Sequence, residues 1–258
     1  MLTDTDVDRL LAFAEELGGW AIDRISAHRP TQVTTKTGPA DLVTETDREV
    51  ETHVRAEISA RWPGHQIVGE ELGASAPSAA GEVWYVDPVD GTTNYAHGLP
   101  WTSFSLALAD PSGPVVAVVA DPDRREIFSA ARGRGARCNG EPVRCSRATD
   151  LAGEVVLTEW AGHRPWPGME QMLATLSAAQ VSTRIMGSSA LSLAAAAAGR
   201  AAGVVLGSFN TWDVLAGVLI AQEAGARLVG RDGGALPAVP DDSVPGLLAA
   251  GPAVAEQI

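Results

Sequence analysis

The spacing of apolar residues predicts two helices at the start of the chain. Apolar residues recur every three or four positions over residues 5–28, the period of an amphipathic helix, and we expect Thr5 or Asp6 to cap its start. A polar loop over residues 29–40 follows. We expect Thr46 to cap a second helix that runs to about residue 61.

Short apolar runs bounded by turn residues predict strands in the middle of the chain. Three of them follow one another closely enough to form an antiparallel meander, and Asn139-Gly140 is typical of a tight turn. Residues 73–82 are low in complexity, so we expect a surface loop there. The predicted strands cover residues 66–68, 83–86, 104–109, 115–120 and 126–131.

After about residue 146 the pattern changes to alternating strands and helices, which is typical of an α/β unit. We therefore expect an N-terminal α+β lobe over residues 1–146 with an antiparallel sheet, and a C-terminal α/β lobe over residues 147–258. The strands predicted in the second lobe cover residues 155–157, 183–186 and 204–206. Three helices are predicted there. The first covers residues 168–179 and the third covers residues 212–224. The second begins at a cap, Ser188 or Ser189, and ends near residue 199.

One stretch carries the strongest chemical signal. The predicted strand at residues 83–86 ends at Asp87, and Pro88 holds the preceding residue in an extended conformation. Asp90 follows, and residues 91–94 (Gly-Thr-Thr-Asn) supply a turn glycine, hydroxyls and backbone N–H groups at the start of a helix. Helix N-termini favour anions, phosphate above all. The two carboxylates could bind a cation, and the N–H groups beside them could bind an anion. This combination predicts metal-assisted phosphate chemistry.

Further acids lie at predicted strand ends or helix starts, and they are Asp47, Glu70, Glu71 and Asp213. Mg²⁺ prefers oxygen ligands such as carboxylates. A two-metal site can activate the attacking water and stabilise the leaving oxygen together, which is the help that phosphate monoesters need because they hydrolyse very slowly alone. No Ser-His-Asp or Cys-His arrangement competes with this interpretation.

The composition limits the classes of function. The chain has 258 residues, 45% of them hydrophobic, and a formal net charge of −13, which argues against a nucleic-acid surface and against binding to an anionic membrane. Two cysteines do not indicate a disulfide framework, and the acidic N-terminal stretch lacks the basic start of a signal peptide. We expect a globular, cytoplasmic protein whose partner is a small molecule.

The motifs together resemble the inositol monophosphatase family of Mg²⁺-dependent, lithium-sensitive phosphatases. They occur in the family's order and at similar spacing: residues 41–47 (Asp-Leu-Val-Thr-Glu-Thr-Asp), 69–71 (Gly-Glu-Glu), 87–94 (Asp-Pro-Val-Asp-Gly-Thr-Thr-Asn) and 212–217 (Trp-Asp-Val-Leu-Ala-Gly). The resemblance implies a layered αβαβα sandwich, often as a homodimer. It also implies hydrolysis of a small phosphorylated metabolite, with inositol 1-phosphate as the default substrate.

The resemblance assigns metal ligands residue by residue. Glu70, Asp87 and the carbonyl of Val89 match the ligands of a first Mg²⁺, and Asp87, Asp90 and Asp213 match those of a second. Glu70 also matches the ligand of a third, looser ion. We therefore expect two to three Mg²⁺ ions in each site. The same acids would repel one another without a cation.

The catalytic and phosphate contacts follow in the same way. Thr92 matches the hydroxyl that orients the attacking water, Asp47 matches the carboxylate that polarises it, and Glu70 belongs to the same catalytic group. Gly91 and Thr92 are expected to offer N–H groups to the phosphate. Lys36 lies at a matching place in the family's mobile loop. The role of Glu71, supporting the ligands or simply a surface carboxylate, stays open.

One position departs from the family pattern. Inositol-specific relatives carry a glutamate seven residues before the aspartate of the Trp-Asp motif, and here Leu206 occupies that position. We expect Leu206 to lie beside the leaving group and to weaken the preference for a polyol, because an aliphatic side chain cannot accept its hydrogen bonds. Alternatively the loop shifts, and Ser188, Ser189 or Asn210 takes over the substrate contacts together with Asp90.

The substrate is therefore the open question. The rivals to inositol 1-phosphate are histidinol phosphate, a sugar phosphate, a nucleotide 3′-phosphate and a phosphorylated precursor of specialised metabolism. A second class of function is a non-enzymatic binding protein that has kept the fold. The retained carboxylates favour the enzyme.

Overall fold

The computed structural model describes residues 2–27, 30, 32–36, 38–39, 41–231 and 233–258. The parts of the predicted first helix and loop that fall on His28, Arg29, Thr31, Thr37 and Ala40 lie outside the described residues. The helices are α1 (Asp4–Ala27), α2 (Glu45–Arg61), α3 (Thr92–His97), α4 (Met169–Ala178), α5 (Ser189–Ala197) and α6 (Thr211–Glu223).

The strands form two large sheets and one small ribbon. The first strands are β1 (Val33–Thr35), β2 (Leu42–Thr44), β3 (Gln66–Gly69), β4 (Gly73–Ala74), β5 (Val83–Asp90), β6 (Ser103–Asp110), β7 (Gly113–Asp121) and β8 (Glu126–Ala131). The others are β9 (Ala136–Cys138), β10 (Glu141–Pro142), β11 (Val155–Thr158), β12 (Ser182–Ile185), β13 (Gly203–Leu206), β14 (Arg227–Gly230) and β15 (Leu247–Ala250). β1 and β2 pair with each other and form the small ribbon.

The first sheet has eight strands in the order β10-β9-β8-β7-β6-β5-β3-β4. Neighbours from β5 to β10 are antiparallel, which confirms the predicted meander, and β3 runs parallel to β5. Asn139 and Gly140 join β9 to β10 with positive φ angles of 50° and 83°, as a two-residue hairpin turn requires. The loop predicted over residues 73–82 begins with the short edge strand β4.

The second sheet has five strands in the order β12-β11-β13-β15-β14. β11 is parallel to β12 and to β13, as alternating strands and helices predict. β15 is antiparallel to β13 and β14, so the sheet is mixed.

Helices and sheets alternate in five layers, so the predicted αβαβα fold is confirmed. One core joins α1 and α2 to the first sheet through residues such as Phe13 and Trp84. A middle core packs α5 and α6 between the two sheets, with Phe128 and Leu247 from the sheets on either side. A third core joins α4 to the second sheet. Since the middle core draws on both sheets, the division at residue 146 stays a prediction.

Two helices begin earlier than the sequence analysis placed them. Thr3 rather than Thr5 or Asp6 caps α1: Asp6 Oδ2 accepts from the Thr3 N–H (2.9 Å), and Thr3 Oγ1 accepts from the Asp6 N–H (3.2 Å). In α2, Thr44 rather than Thr46 is the cap, again with an aspartate three residues on as its partner. In both cases a threonine–aspartate capping box satisfies two N–H groups reciprocally, which a single cap cannot do.

Candidate active site

The motif strand β5 delivers its acids as predicted and then turns sharply. Its pairing with β6 is irregular between Asp87 and Asp90, where Pro88 has no N–H to donate to the ladder. Gly91 follows with a φ of 88°, and a Cβ there would lie 2.8 Å from the Gly187 carbonyl oxygen. Only glycine fits this turn without strain.

Thr92 and Asp47 form a hydrogen-bonded pair in the site. Asp47 is fully buried, and its Oδ2 accepts from the N–H (2.8 Å) and the hydroxyl (2.5 Å) of Thr44. Its Oδ1 lies 3.3 Å from Thr92 Oγ1, which also lies 3.0 Å from the carbonyl oxygen of Val89. Burial raises the pKa of Asp47 above its ordinary value even though Thr44 opposes that shift.

The predicted metal-binding acids influence one another electrostatically. Burial, and then repulsion from Glu70, Asp90 and Asp213, raises the pKa of Asp87 well above its ordinary value. Burial raises the pKa of Asp90 to about 6 although Ser188 donates to it, and burial together with Asp90 and Glu70 raises the pKa of Asp213 to about 8. The fold therefore brings these four carboxylates into one neighbourhood.

Among the residues that the structure describes, no three His, Cys, Asp or Glu side chains form a group that could hold a metal ion. Two of the predicted ligands have one carboxylate oxygen in hydrogen bonds with neighbouring groups. Asp90 Oδ2 accepts from the Ser188 hydroxyl (2.6 Å) and the Ala190 N–H (2.7 Å), and Asp213 Oδ2 accepts from the Asn210 N–H (2.6 Å). The donor set nevertheless fits a hard cation, because it consists of carboxylates whose mutual repulsion a cation would relieve.

Lys36 supplies positive charge at this site. Its Nζ lies 2.7 Å from Glu70 Oε1 and 2.5 Å from Glu71 Oε1. The Glu71 side chain is only 4% exposed, so it is not a surface carboxylate. Burial raises the pKa of Glu71 to about 7 despite Lys36. For Lys36, burial opposes the charged form, but Glu70 and Glu71 outweigh it and raise its pKa.

Glu51 is a buried acid that the sequence analysis missed. It accepts from the N–H groups of Glu71 (2.7 Å) and Leu72 (3.1 Å) and pairs with Arg55 at 2.8 Å. A Cβ on Gly69 would lie 2.1 Å from Glu51 Oε1, so the carboxylate packs directly under the turn that carries Glu70. Glu51 and Arg55 are four residues apart, the spacing of an ordinary exposed ion pair on a helix. The sequence therefore gave no sign that Glu51 is buried.

A cavity of about 390 Å³ opens above these residues. Five of the predicted site residues line it, namely Glu70, Asp90, Gly91, Thr92 and Ser189. Ser188 lies behind them, bonded to Asp90, and Asn210 caps α6 beside Asp213. The structure does not bring Leu206 to the cavity. That residue ends β13 with its side chain fully buried in the middle core, where it pairs with Leu247.

Glu159, which no motif in the sequence indicated, lines the same cavity and is 6% exposed. It accepts from the Gly187 N–H (2.6 Å) and the Ser192 hydroxyl (2.9 Å), and burial raises its pKa to about 7. Its position just after strand β11 is the same signal that identified Asp87. Trp160 follows it and is 45% exposed.

Comparison with known proteins agrees with the geometry. The profile of the inositol monophosphatase family matches residues 6–257. The chain is 35% identical over 212 residues to inositol monophosphatase 2 of Mus musculus, covering 80% of this chain and 73% of that protein. It is 38% identical over 203 residues to the Nus factor SuhB of Pasteurella multocida, covering 78% and 76%.

The solved structures show the same fold. The IMPase of Thermotoga maritima superposes with a TM-score of 0.84 at 30% identity, covering 97% of this chain and 94% of that one. Among the described residues, no helix is long and apolar enough to cross a membrane. The family profile spans almost the whole sequence. The chain therefore belongs to the inositol monophosphatase family, whose members are phosphoric monoester hydrolases.

Proposed function

We propose that this chain hydrolyses a small phosphate monoester with a water molecule that Thr92 and Asp47 orient. The observation that carries the proposal is the Thr92 hydroxyl, held 3.3 Å from Asp47 Oδ1 beside four mutually repelling carboxylates. When the Thr92 hydrogen is donated to Asp47, the hydroxyl oxygen is free to accept a hydrogen from water. Thr44 holds the other oxygen of Asp47, so the pair keeps its orientation.

We propose that two to three Mg²⁺ ions complete the site. Glu70, Asp87, the carbonyl of Val89, Asp90 and Asp213 would hold them. When bound, Mg²⁺ lowers the pKa of water and stabilises the charge of the leaving oxygen. The family's use of Mg²⁺ and the hard oxygen donors of this chain support the metal, while the number of ions rests on the resemblance alone.

The phosphate would bind at the turn before α3. Gly91 and Thr92 line the cavity and would offer backbone N–H groups there. Lys36 adds positive charge nearby, since it pairs with Glu70. These residues would hold the phosphate while the Thr92 hydroxyl directs the water.

For the substrate, an inositol-1-phosphate-like monoester stays the default, with the histidinol, sugar, nucleotide and specialised-metabolite phosphates as alternatives. We do not place Leu206 in contact with the leaving group, because its side chain lies in the core. Ser189 and Asp90 line the cavity and are the better candidates for contacts. A homodimer in the cytoplasm is proposed from the family resemblance and the composition.

A binding role without catalysis is the second candidate, because one similar protein is called a Nus factor. Phosphate release from a panel of metabolite monoesters, with Mg²⁺ and with chelator, separates the two. We expect Mg²⁺-dependent release that falls about 100-fold in Thr92→Val and largely survives in Thr92→Ser, which keeps the hydroxyl. Release by Thr92→Val at the native rate would contradict the water-orienting role, and no release from any monoester would favour binding.

A further inference from the structure

The cavity contains an apolar surface that the hydrolytic machinery does not use. Trp160 is 45% exposed and Ile185 is 37% exposed, and both line the cavity next to Met186. Large apolar side chains are normally covered on folding, and isolated exceptions mean little. Here two of them occur together on the wall of the cavity that contains Thr92.

The segment that carries Trp160 is tightly folded. Ala161 and Arg164 pair in both directions, with N–H to carbonyl distances of 2.8 and 3.1 Å. Gly162 and His163 between them have positive φ angles of 52° and 67°, as a two-residue hairpin turn requires. Trp160 therefore stands directly before a closed turn rather than in an open loop.

Trp166 anchors this turn to the second sheet. It is 5% exposed, and its indole Nε1 donates to the Glu159 carbonyl oxygen at 3.2 Å. Its ring lies where a Cβ on Gly207 would be, with 1.9 Å to the nearest ring atom, and the Arg231 guanidinium lies 5.5 Å from the ring centroid. The anchor covers the end of β13, the region where the sequence analysis expected Leu206 to meet the substrate.

Glu159 connects the apolar wall to the phosphate side of the cavity. Its carboxylate accepts from the Gly187 N–H and the Ser192 hydroxyl. The next residue, Ser188, donates to Asp90 at 2.6 Å. Hydrogen bonds and the backbone between Gly187 and Ser188 thus link Glu159, the residue before Trp160, to Asp90.

We infer that Trp160 and Ile185 form a subsite for a planar, apolar leaving group, such as an aromatic ring joined to the phosphate by a short linker. The inference rests on the proposed hydrolysis and specifies its substrate class. An aromatic ring would cover the two exposed side chains and pack against the indole. A polyol placed against these two side chains would lose hydrogen bonds to water and find no partners on either of them.

The test compares two monoesters that both carry a six-membered ring, 2-phenylethyl phosphate and inositol 1-phosphate. The kcat/KM ratio between them is measured with Mg²⁺ for the native chain, Trp160→Ala and Trp160→Phe. We divide kcat/KM for the aromatic ester by kcat/KM for inositol 1-phosphate. We expect Trp160→Ala to lower this ratio roughly tenfold, mainly by raising KM for the aromatic ester. Trp160→Phe should keep most of the native ratio. Leu99→Ala is the matched control, since Leu99 is 55% exposed outside this cavity.

Binding of 2-phenylethylphosphonate by calorimetry separates this inference from the proposed hydrolysis. Tight binding that Trp160→Ala weakens supports the subsite even if no ester is hydrolysed, an outcome that would overturn the hydrolysis alone. A kcat/KM ratio and a phosphonate affinity that Trp160→Ala leaves unchanged would overturn the subsite, while continued phosphate release would leave the hydrolysis standing. A native chain that prefers inositol 1-phosphate to the same degree as Trp160→Ala would also overturn the subsite.

Discussion

At the scale of single residues, the site depends on buried acids whose two oxygens have different partners. Asp47 uses Oδ2 to cap α2 through Thr44 and directs Oδ1 toward Thr92. Glu51 Oε2 accepts from the Glu71 N–H, and its Oε1 accepts from both Arg55 and the Leu72 N–H. Asp47 is thereby held by Thr44 while it contacts Thr92. Glu51 is held by Arg55 while it contacts the turn that follows Glu70.

Glu51→Gln tests whether this carboxylate positions Glu70. The amide has one carbonyl oxygen, so one of the N–H groups of Glu71 and Leu72 is left unpaired, which costs about 1–3 kcal/mol. We expect a lower melting temperature and a several-fold higher Mg²⁺ concentration for half-maximal thermal stabilisation. Both are measured by thermal melting across a Mg²⁺ titration.

Glu57→Gln is the matched control, because Glu57 makes the same i,i+4 pair with Arg61 on the exposed side of α2. It should change neither quantity appreciably. If Glu51→Gln lowers stability but leaves the Mg²⁺ requirement native, Glu51 supports the fold without positioning the ligand.

The sequence motifs indicated some of the site acids, but neither Glu159 after β11 nor the buried Glu51. Asp87, Asp90 and Asp213 stand in recognisable motifs. Glu51 has the spacing of a surface ion pair, and only the packing of Gly69 against it reveals its burial. For Leu206, a residue count from the Trp-Asp motif could not show on which side of β13 the side chain lies.

At the scale of elements, the contact between α5 and α6 shows how closely the middle layer packs. A Cβ on Gly217 of α6 would lie 2.5 Å from the Cβ of Leu193 in α5. α6 also carries Asp213 in its first turn, and Ser188, which caps α5, donates to Asp90. The separation of the two helices therefore bears on the separation of two site acids.

Gly217→Ala and Gly19→Ala make a matched pair of substitutions inside helices. Alanine is favoured over glycine in a helix by about 1 kcal/mol. At Gly19 of α1 the nearest atom to the new Cβ is 3.9 Å away, so we expect a small gain in stability. At Gly217 the close contact costs about 1–3 kcal/mol and outweighs the gain.

The free energy of unfolding of both variants and of the native chain is measured by urea titration. Equal effects at the two positions would show that α5 and α6 can separate without cost.

The elements with strong periodicity were predicted well, and the missing ones have a physical explanation. The meander and the helices of the second half follow apolar runs bounded by turns. β14 and β15 have four residues each and are separated by a Gly/Pro-rich stretch, so no period is established. The cap positions were missed because a threonine and the aspartate three residues later share the capping.

At the scale of the whole molecule, the fold collects negative charge where the ends of β3 and β5 in the first sheet lie near the start of α6. The first sheet supplies Glu70, Asp87 and Asp90, and α6 from the middle layer supplies Asp213. An acid whose pKa is raised in the folded chain binds more protons folded than unfolded. The free energy of unfolding therefore falls as pH rises from the ordinary pKa to the raised one.

This predicts a pH-dependent response to Mg²⁺. From the ordinary value of 3.8, the pKa of Asp90 is raised to about 6 and that of Asp213 to about 8. In chelator, the melting temperature should therefore fall between pH 5 and pH 8.5, with stability lost through both raised pKa values. Because Mg²⁺ neutralises the ionised acids, it should raise the melting temperature more at pH 8 than at pH 5.5.

Melting curves at the two pH values, with chelator and with millimolar Mg²⁺, measure the effect. A stabilisation by Mg²⁺ that is equal at both pH values, or absent, would contradict the shared-site account.

The most direct test of the central claim is phosphate release by Asp87→Asn across a Mg²⁺ titration. Asp87 is buried among the other acids, so its loss should weaken metal binding and lower turnover at least 100-fold, consistent with several kcal/mol from the metal. Asp110→Asn is the control and should keep native turnover. Asp110 is the last residue of β6, at the end away from Ser105, which pairs with Asp87. We predict that Asp87→Asn melts in chelator no lower than the native chain and releases almost no phosphate. Near-native release by folded Asp87→Asn would contradict the account.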